Sequence, residues 1–240
     1  MKSPLDFGPW LDLDVVESTL AAAASLIRDP KGREVPGVVF ARNQTAGKGR
    51  FGRTWLSEEG SSLTMSLVFG AYADHPKPWL VGMAVGMAAA GALHSLLRWP
   101  NDLIIDGRKL GGILSELIAD PRGRKVPVVG IGVNLGQTTF APELADIATS
   151  LALHRAGPFD PVEIAKKIVA RIAELPEPDS WAALAPVWEL FDDTPGKLYR
   201  LPNGQAATAL KVGADGELLC SVEGEAVTVM AAEALFGPAR

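Results

Sequence analysis

The spacing of apolar positions along the chain alternates between the helical and the extended period. Helical spacing is found in residues 20–28, where Ser18 or Thr19 is a suitable N-cap, and in residues 79–97, 161–175 and 181–191. Alternating apolar positions or β-branched runs predict strands in residues 35–41, 63–69, 103–105, 108–117 and 126–135. This mixture of elements predicts an α/β (α+β) domain in which a mixed sheet is flanked by helices.

The pattern changes after residue 193. Short runs of valine, leucine and alanine are separated there by turn-forming segments at 202–204, 213–216 and 223–224. Short strands at such regular spacing predict a small antiparallel barrel of the SH3-like type. We therefore expect two domains, residues 1–193 and residues 194–240.

Residues 79–97 contain no charged side chain and are long enough to span a membrane. The alternative is a buried helix whose small residues allow it to pack closely against a sheet. Alanine and glycine dominate the segment, and no second apolar stretch of that length exists in the sequence. We therefore favour the buried helix and expect no membrane partner.

Composition excludes several classes of protein. With 48% hydrophobic and 21% charged residues, the chain of 240 residues can bury a sizeable core. A net charge of −5 disfavours a surface built for duplex DNA. The single cysteine, Cys220, rules out an intramolecular disulfide and lies in an apolar run, so we expect a small buried side chain and a reducing, cytoplasmic location. The N-terminus shows no secretion signal, and the scattered histidines predict no structural zinc.

A loop in which glycines alternate with cations is the first candidate for chemistry. Its sequence, from Gln44 to Trp55, is Gln-Thr-Ala-Gly-Lys-Gly-Arg-Phe-Gly-Arg-Thr-Trp. Glycines allow the backbone to approach a ligand closely, and successive backbone N–H groups form an anion-binding concavity. The loop therefore suits a phosphate or a carboxylate, with a solvated turn as the alternative.

Three further segments carry candidate residues. Trp99-Pro100-Asn101-Asp102 places an amide and a carboxylate before a strand, although these residues are also common in turns. The segment Lys109-Leu110-Gly111-Gly112 joins a lysine to two glycines on a strand, but it also fits an ordinary hairpin arm with an exposed lysine. Gly130-Ile131-Gly132-Val133-Asn134 would position an asparagine at a strand end, with a β-bulge as the alternative.

Together and in this order, these segments resemble the biotin–protein ligase family. The resemblance runs through Glu17-Ser18-Thr19, the Gly-Arg-x-Trp end of the loop, Trp-Pro-Asn-Asp, Lys-x-x-Gly-Ile-Leu-x-Glu from Lys109 to Glu116, and Gly-Ile-Gly-Val-Asn. The resemblance covers residues 15–235. Within the family, the sequence resembles the form without an N-terminal DNA-binding domain. This resemblance implies a class II synthetase-like catalytic domain followed by a C-terminal barrel.

The resemblance also implies site residues. Biotin would be bound by Ser18, Thr19, Gln44, Gly47, Lys48, Arg50 and Gly112. The nucleotide would be bound by Gly49, Phe51, Gly52, Arg53, Trp55, Asn101, Asp102 and Asn134. The catalytic groups would be Lys109, Arg50 and Lys48, with Lys109 stabilising charge as the acyl phosphate forms.

The implied reaction joins biotin to ATP as biotinyl-5'-adenylate and then transfers biotin to a lysine of a biotin carboxyl carrier domain. Magnesium would accompany ATP near Asp102 without a dedicated set of protein ligands. No DNA partner is expected, and a homodimer is left open. The alternatives are a lipoate or octanoate ligase on the same fold, and a protein that binds biotin or another acyl-adenylate without modifying a carrier.

Three residues and the end of the barrel depart from the family pattern. Leu20 replaces a frequent polar residue, Lys48 stands where arginine is frequent, and Arg98 stands where lysine is frequent. The closing Gly-Glu of the barrel is missing, and its nearest candidate is Ala232-Glu233. These departures concern the identity of the ligand and of the acceptor more than the fold.

Overall fold

A seven-stranded sheet forms the centre of the computed structural model, which describes residues 7–31, 34–201 and 203–230. The strands of the chain are β1 (Trp10–Val16), β2 (Val38–Gln44), β3 (Gly47–Lys48), β4 (Thr54–Trp55), β5 (Ser62–Val68), β6 (Leu96–Arg98), β7 (Asp102–Ile105), β8 (Arg108–Ala119), β9 (Lys125–Asn134), β10 (Leu198–Arg200), β11 (Ala206–Val212), β12 (Leu218–Val222) and β13 (Glu225–Val229). The helices are α1 (Thr19–Ile27), α2 (Trp79–Leu93), α3 (Pro161–Ile172) and α4 (Trp181–Trp188).

The central sheet is mixed, as the sequence predicts. Its strand order is β1-β2-β5-β9-β8-β7-β6, with β1 parallel to β2 and the other neighbouring pairs antiparallel. Strand β1 was not predicted, and β2 begins at Val38 rather than at residue 35. Asp106 and Gly107 form the turn between β7 and β8, and both residues have the positive φ angles that a tight hairpin of this type requires.

The two faces of the sheet are covered differently. Helices α2 and α3 pack on one face, over apolar side chains such as Phe40, Met65 and Ile131, and α4 packs on α2. Helix α1 covers only part of the other face, where Leu20 and its apolar neighbours pack on Val39 and Val128. The uncovered part of this face holds the candidate site.

Helix α2 corrects the predicted extent of the long apolar segment. The helix ends at Leu93, because His94 takes a left-handed conformation with φ of 47°, and Leu96–Arg98 forms β6 instead. The helix is buried against the sheet and α3, as a helix of small residues should be. Within the described ranges, no helix has both the length and the apolar character that crossing a membrane requires. Helices α3 and α4 end at Ile172 and Trp188, a few residues before their predicted ends.

Strands β10 to β13 form a separate antiparallel sheet after residue 193, in the predicted region. Its inner face carries Tyr199, Leu218 and the fully buried Cys220, which belong to the same hydrophobic cluster as residues of α2, α3 and α4. The C-terminal sheet therefore shares a core with the rest of the protein. Residues Ala232 and Glu233 lie outside the described residues.

Candidate functional site

A row of small cross-strand partners crosses the uncovered face of the sheet. Ala41, Thr64, Gly132, Gly112 and Asp102 are successive partners on five neighbouring strands, and we call them the floor row. Since directly paired residues point to the same face, the middle of this row has no side chains. The row is thus a flat strip of backbone that ends at the carboxylate of Asp102.

The β-bulge offered as an alternative for residues 130–134 is wrong, because the pairing of β9 continues without a shift on both sides. The glycines permit close packing instead. A Cβ atom built on Gly130 would lie 2.9 Å from Leu20 Cδ1, so Leu20 packs directly on the strand backbone. The unusual leucine after Ser-Thr therefore belongs to the contact between α1 and the sheet.

A hydrogen-bonded network lies at the end of the site next to α1. The backbone N–H of Thr19 donates to Gln44 Oε1 at 2.7 Å, and its hydroxyl donates to the same oxygen at 3.1 Å. Ser66 Oγ donates to Thr19 Oγ1 at 2.8 Å. Ser18 is the N-cap of α1, as predicted, but its hydroxyl makes no capping hydrogen bond. The structure thus joins Thr19 and Gln44, two of the residues that the resemblance assigns to biotin binding, and Ser18 precedes Thr19 in the chain.

The glycine–cation loop folds as a short hairpin. Strands β3 and β4 pair with each other, and a 3₁₀ turn at Arg50–Gly52 joins them. Phe51 and Gly52 have positive φ angles of 56° and 70°. A Cβ atom on Gly47 would lie 2.5 Å from the carbonyl oxygen of Trp55, so the two arms can approach only because residue 47 is glycine.

Arg50 connects this hairpin to the Trp-Pro-Asn-Asp segment. Its Nη1 donates to Asn101 Oδ1 at 3.3 Å, and Asn101 Nδ2 donates to the carbonyl of Ile113 at 2.8 Å. Burial lowers the pKa of Arg50, Asp102 opposes this by raising it, and nearby Arg53 lowers it further. An anionic ligand beside Arg50 would replace the lost hydration and favour the charged form.

Lys109 reaches the same region because of an irregularity in β8. Leu103 pairs with Gly111 and Ile104 with Lys109, so one extra residue lies in β8 between these pairs. Because of this bulge, the side chain of Lys109 lies on the same face of the sheet as Gly112. Its Nζ would lie 3.5 Å from a Cβ atom built on Gly112. Lys109 Nζ forms an ion pair with Asp102 Oδ1 at 2.5 Å.

Asn134 lies at the end of β9, beside the floor row. Its side chain is buried, and its Nδ2 donates to the carbonyl of Thr149 at 3.0 Å. Thr149 N–H in turn donates to the carbonyl of Lys109 at 2.8 Å. Asn134 thereby holds the segment that borders the bulge of Lys109.

The hairpin borders an open cleft with a volume of about 780 Å³. The cleft includes the predicted residues Gly47, Lys48, Gly49, Arg53 and their neighbours in the loop. Lys48 is exposed at its edge. The cleft is also lined by Leu114 and Glu116 of β8, which were not singled out in the sequence, although Glu116 ends one of the quoted motifs.

Ser66 and Thr64 are site residues that the sequence did not reveal. The alternation of residues 63–69 predicted one apolar face and one polar face, but all seven residues of β5 are buried. A polar face that is itself buried indicates partners or a ligand, because an unpaired buried hydroxyl is costly. The two hydroxyls bond to Thr19 and to the carbonyl of Ala41.

Arg98, one of the departures from the family pattern, directs its side chain towards Asp193 and not towards the floor row. Its guanidinium donates from Nε and Nη2 to Asp193 Oδ2, at 3.0 and 2.5 Å. The pair joins β6 to the segment that leads into the C-terminal sheet. The forked geometry of arginine suits this ion pair, which a lysine at position 98 would form with one contact only.

Comparison with known proteins supports a single family. The model of the biotin/lipoate A/B protein ligase family matches residues 15–135. A biotin–[acetyl-CoA-carboxylase] ligase of Mycobacterium tuberculosis is 33% identical over 246 residues, which cover 93% of this chain and 88% of that protein. A bifunctional ligase/repressor of Bacillus spizizenii is 38% identical over 149 residues, but the match covers only 58% of this chain and 45% of that relative. The chain thus spans less than half of the length of that bifunctional relative.

Solved structures agree with the sequence matches. The biotin protein ligase from Aquifex aeolicus in complex with biotin and ATP superposes with a TM-score of 0.73 at 25% identity, covering 95% of this chain and 98% of that one. Both the central sheet and the C-terminal sheet therefore have counterparts in a biotin protein ligase. From the family match and the nearly full-length relative, the chain belongs to the biotin/lipoate A/B protein ligase family.

Proposed function

We propose that this protein is an ATP-dependent biotin–protein ligase, which forms biotinyl-5'-adenylate and transfers biotin to a lysine of a carrier domain. The observation that carries the proposal is the floor row, whose side-chain-free centre lies between a neutral hydrogen-bonding network and a group of cations. Strands β5, which carries Ser66, and β7, which carries Asp102, are separated by β9 and β8. At the ordinary spacing of neighbouring strands, the distance between β5 and β7 is roughly 14 Å. Such a strip suits an elongated ligand with a polar head at one end and an acidic tail at the other.

The neutral network would bind the head group of biotin. Thr19, Gln44 and Ser66 supply hydroxyl and amide groups and no charge, which suits a ligand that both donates and accepts hydrogen bonds. Ser18 lies beside them with no capping bond to occupy its hydroxyl. Gly47 and Gly112 would allow the ligand to lie against the backbone.

The cationic end would bring the two reacting anions together. Arg50, Lys48 and the backbone N–H groups of the loop would hold the carboxylate and the α-phosphate, with Lys109 beside them. Attack of a carboxylate oxygen on the α-phosphorus forms the mixed anhydride and breaks the bond to pyrophosphate. Fixed cations lower this barrier because they hold the anions at short distance and stabilise the charge that develops.

The nucleotide would lie on the side of Asn101, Asp102 and Asn134, with Gly49, Phe51, Gly52, Arg53 and Trp55 of the hairpin above it. Magnesium would neutralise charge on the phosphates. Asp102 could supply one carboxylate oxygen, and the described residues contain no cluster of three acidic, histidine or cysteine side chains. The residues present therefore fit an ion that is held mainly by the triphosphate.

In the second step, the amine of an acceptor lysine would attack the acyl carbon, form the amide and expel AMP. The acceptor is proposed to be a biotin carboxyl carrier domain, as the name of the Mycobacterium tuberculosis relative implies for that protein. We also propose that residues 1–193 and 194–240 are the catalytic and C-terminal domains. The absence of a DNA partner and a cytoplasmic location stay predictions from the sequence, and a homodimer stays open.

The test is incubation with ATP, magnesium, biotin and a carrier domain, with the mass of the carrier as the readout. An increase by one biotinyl group supports the proposal, and pyrophosphate release without carrier modification supports a protein that only makes the adenylate. Parallel reactions contain lipoate or octanoate instead of biotin. A preference for either acid would replace biotin by that acid in the proposal.

A further inference from the structure

Both backbone polar groups of Trp99 are bound by residues that follow position 193. Tyr199 Oη donates to the carbonyl of Trp99 at 2.9 Å, and the N–H of Trp99 donates to Thr194 Oγ1 at 2.8 Å. The indole Nε1 donates to the carbonyl of Gly216 at 3.0 Å. Trp99 is 2% exposed, so these bonds are made away from water. Three hydrogen bonds from the C-terminal region, one from β10, one from the segment before it and one from the turn between β11 and β12, thus fix the position of Trp99.

The turn that receives the indole is itself held firmly. Lys77 Nζ forms an ion pair with Asp215 Oδ1 at 2.7 Å. The ring of Trp79 packs so closely on Gly216 that a Cβ atom there would lie 2.8 Å from Trp79 Cδ2. The turn at Gly216 therefore contacts both the indole of Trp99 and Trp79, the first residue of α2.

The residues that follow Trp99 belong to the candidate site. Pro100 restricts the backbone, Asn101 binds Arg50 and the carbonyl of Ile113, and Asp102 pairs with Lys109. A shift of the Trp99 carbonyl would consequently move both Asn101 and Asp102. No side chain of the C-terminal sheet needs to reach the ligand for the sheet to influence the site.

We propose that Tyr199 and Thr194 are positioning residues for adenylate formation, which act through Trp99 on the placement of Asn101 and Asp102. The inference rests on the proposed function for its assay. The Tyr199 hydroxyl suits the role because it is buried and donates to the Trp99 carbonyl, and burial also raises its pKa above the ordinary value. Its ring also contacts the indole of Trp99 edge-on, and a phenylalanine would retain that contact.

The first test replaces Tyr199 by phenylalanine, which removes the hydroxyl and keeps the ring. We expect kcat for pyrophosphate release to fall roughly tenfold, since a misplacement of about 1 Å can cost up to 10²-fold. The KM for biotin should change by less than about twofold, because the network at Thr19 is untouched. A partial loss of folded protein would also lower the apparent kcat at unchanged KM, so the folded fraction of each sample is measured by circular dichroism and kcat is calculated per folded molecule.

The matched control is Tyr72→Phe. Tyr72 is also buried, and its hydroxyl has no hydrogen-bond partner in the described part of the chain. The control removes the same atom at a position away from the site and should leave kcat unchanged. Equal kcat values for Tyr199→Phe and Tyr72→Phe would overturn the proposal.

A second pair of variants tests the other contact. Thr194→Val removes the acceptor of the Trp99 N–H while nearly preserving shape, and Thr194→Ser restores the hydroxyl. We expect the valine variant to lose kcat in the same manner and the serine variant to recover most of it. If valine and serine have equal activity, the hydroxyl has no positioning role.

Failure of this inference is distinguishable from failure of the proposed function. A parent protein that releases no pyrophosphate with biotin refutes the proposed function, and the variants are then compared with whichever acid the parent activates. A parent that is active with biotin, together with a fully active Tyr199→Phe variant, refutes only the positioning role.

Discussion

The indole of Trp55 lies directly over the backbone of Gly132, in the middle of the floor row. A Cβ atom built on Gly132 would lie 2.5 Å from Trp55 Cε2 and 2.7 Å from its Nε1. The indole nitrogen is buried and has no hydrogen-bond partner within the described residues. In this structure the ring therefore covers the backbone strip on which we propose that the ligand lies, so ligand binding would require the ring to move or to lie above the ligand.

The first prediction follows from this contact. In Gly132→Ala, the added methyl group would take the space of the indole, and overpacking of this kind typically costs about 1–3 kcal/mol. We expect biotin to bind about tenfold more weakly, because the methyl group would project into the ligand strip. Calorimetric titration with biotin measures this change.

The control for that substitution is Gly70→Ala, since nothing lies within 4 Å of a Cβ atom there. The control should bind biotin like the parent. Unchanged affinity in Gly132→Ala would show that the ligand does not lie on the floor row.

The second prediction concerns Lys109, whose ammonium group is held by Asp102 at the cationic end of the site. Loss of one preorganised donor to a developing charge typically costs roughly 10²–10³ in rate. Lys109→Ala should therefore lower the rate of pyrophosphate release by about that factor and change biotin affinity much less. Pyrophosphate assays stopped at fixed times measure the rate, and calorimetry on the same protein samples measures the affinity for biotin.

Two further variants sharpen this test. Lys125→Ala removes a lysine at the far end of the paired strand and should be fully active. Asp102→Asn removes the partner carboxylate, and the double variant with Lys109→Ala should be less than additive because the two groups interact directly. Adenylate formation by Lys109→Ala at the parent rate would make the assigned role wrong.

Most of the longer strands and the four helices could be predicted from the sequence because their local patterns agree with the fold, whereas the short strands β3, β4 and β6 were not predicted. The turn at Asp106-Gly107, the buried cysteine and the small residues of α2 each have a local physical cause. The strand β1 was missed because Trp10–Val16 contains alternating acidic residues at the edge of the sheet, where only part of each side chain is buried. The helix α2 was predicted to extend to residue 97 rather than to end at Leu93, because no local sequence signal indicates the left-handed conformation of His94.

The geometry of the candidate site was less accessible from the sequence. The motifs identified Lys109 and Asp102 separately, but the bulge that turns Lys109 towards Asp102 is a property of the pairing of β7 and β8. The floor row likewise arises from the register of five strands. The role of Ser66 depends on its contact with Thr19, 47 residues earlier in the chain.

The third prediction concerns Cys220, which is fully buried in the C-terminal sheet. Burial in apolar surroundings raises the pKa of its thiol, so the thiolate is scarce in the folded state. We expect no reaction with a disulfide reagent at pH 8 until the protein is unfolded in guanidinium chloride. Because the thiol pKa is higher in the folded than in the unfolded protein, the contribution of Cys220 to the free energy of unfolding is fully present below the ordinary thiol pKa. It is lost as the pH rises through the raised pKa. Rapid labelling of the folded protein would contradict the burial.

The last prediction concerns the hairpin from Gly47 to Trp55. Lys48, Arg50 and Arg53 are potential trypsin sites, and glycines leave the backbone between them with little intrinsic stiffness. We expect trypsin to cleave the hairpin without ligand and expect biotin together with ATP to protect it, since bound anions would hold Arg50 and the loop N–H groups. In Arg50→Ala, calorimetry should show weaker biotin binding, and the protection of the remaining sites should be lost at the same ligand concentrations. Arg200→Ala is the control, because Arg200 lies on β10 outside the site and its removal should preserve both binding and protection. Cleavage of the parent hairpin at an equal rate with and without both ligands would show that the loop does not order over them.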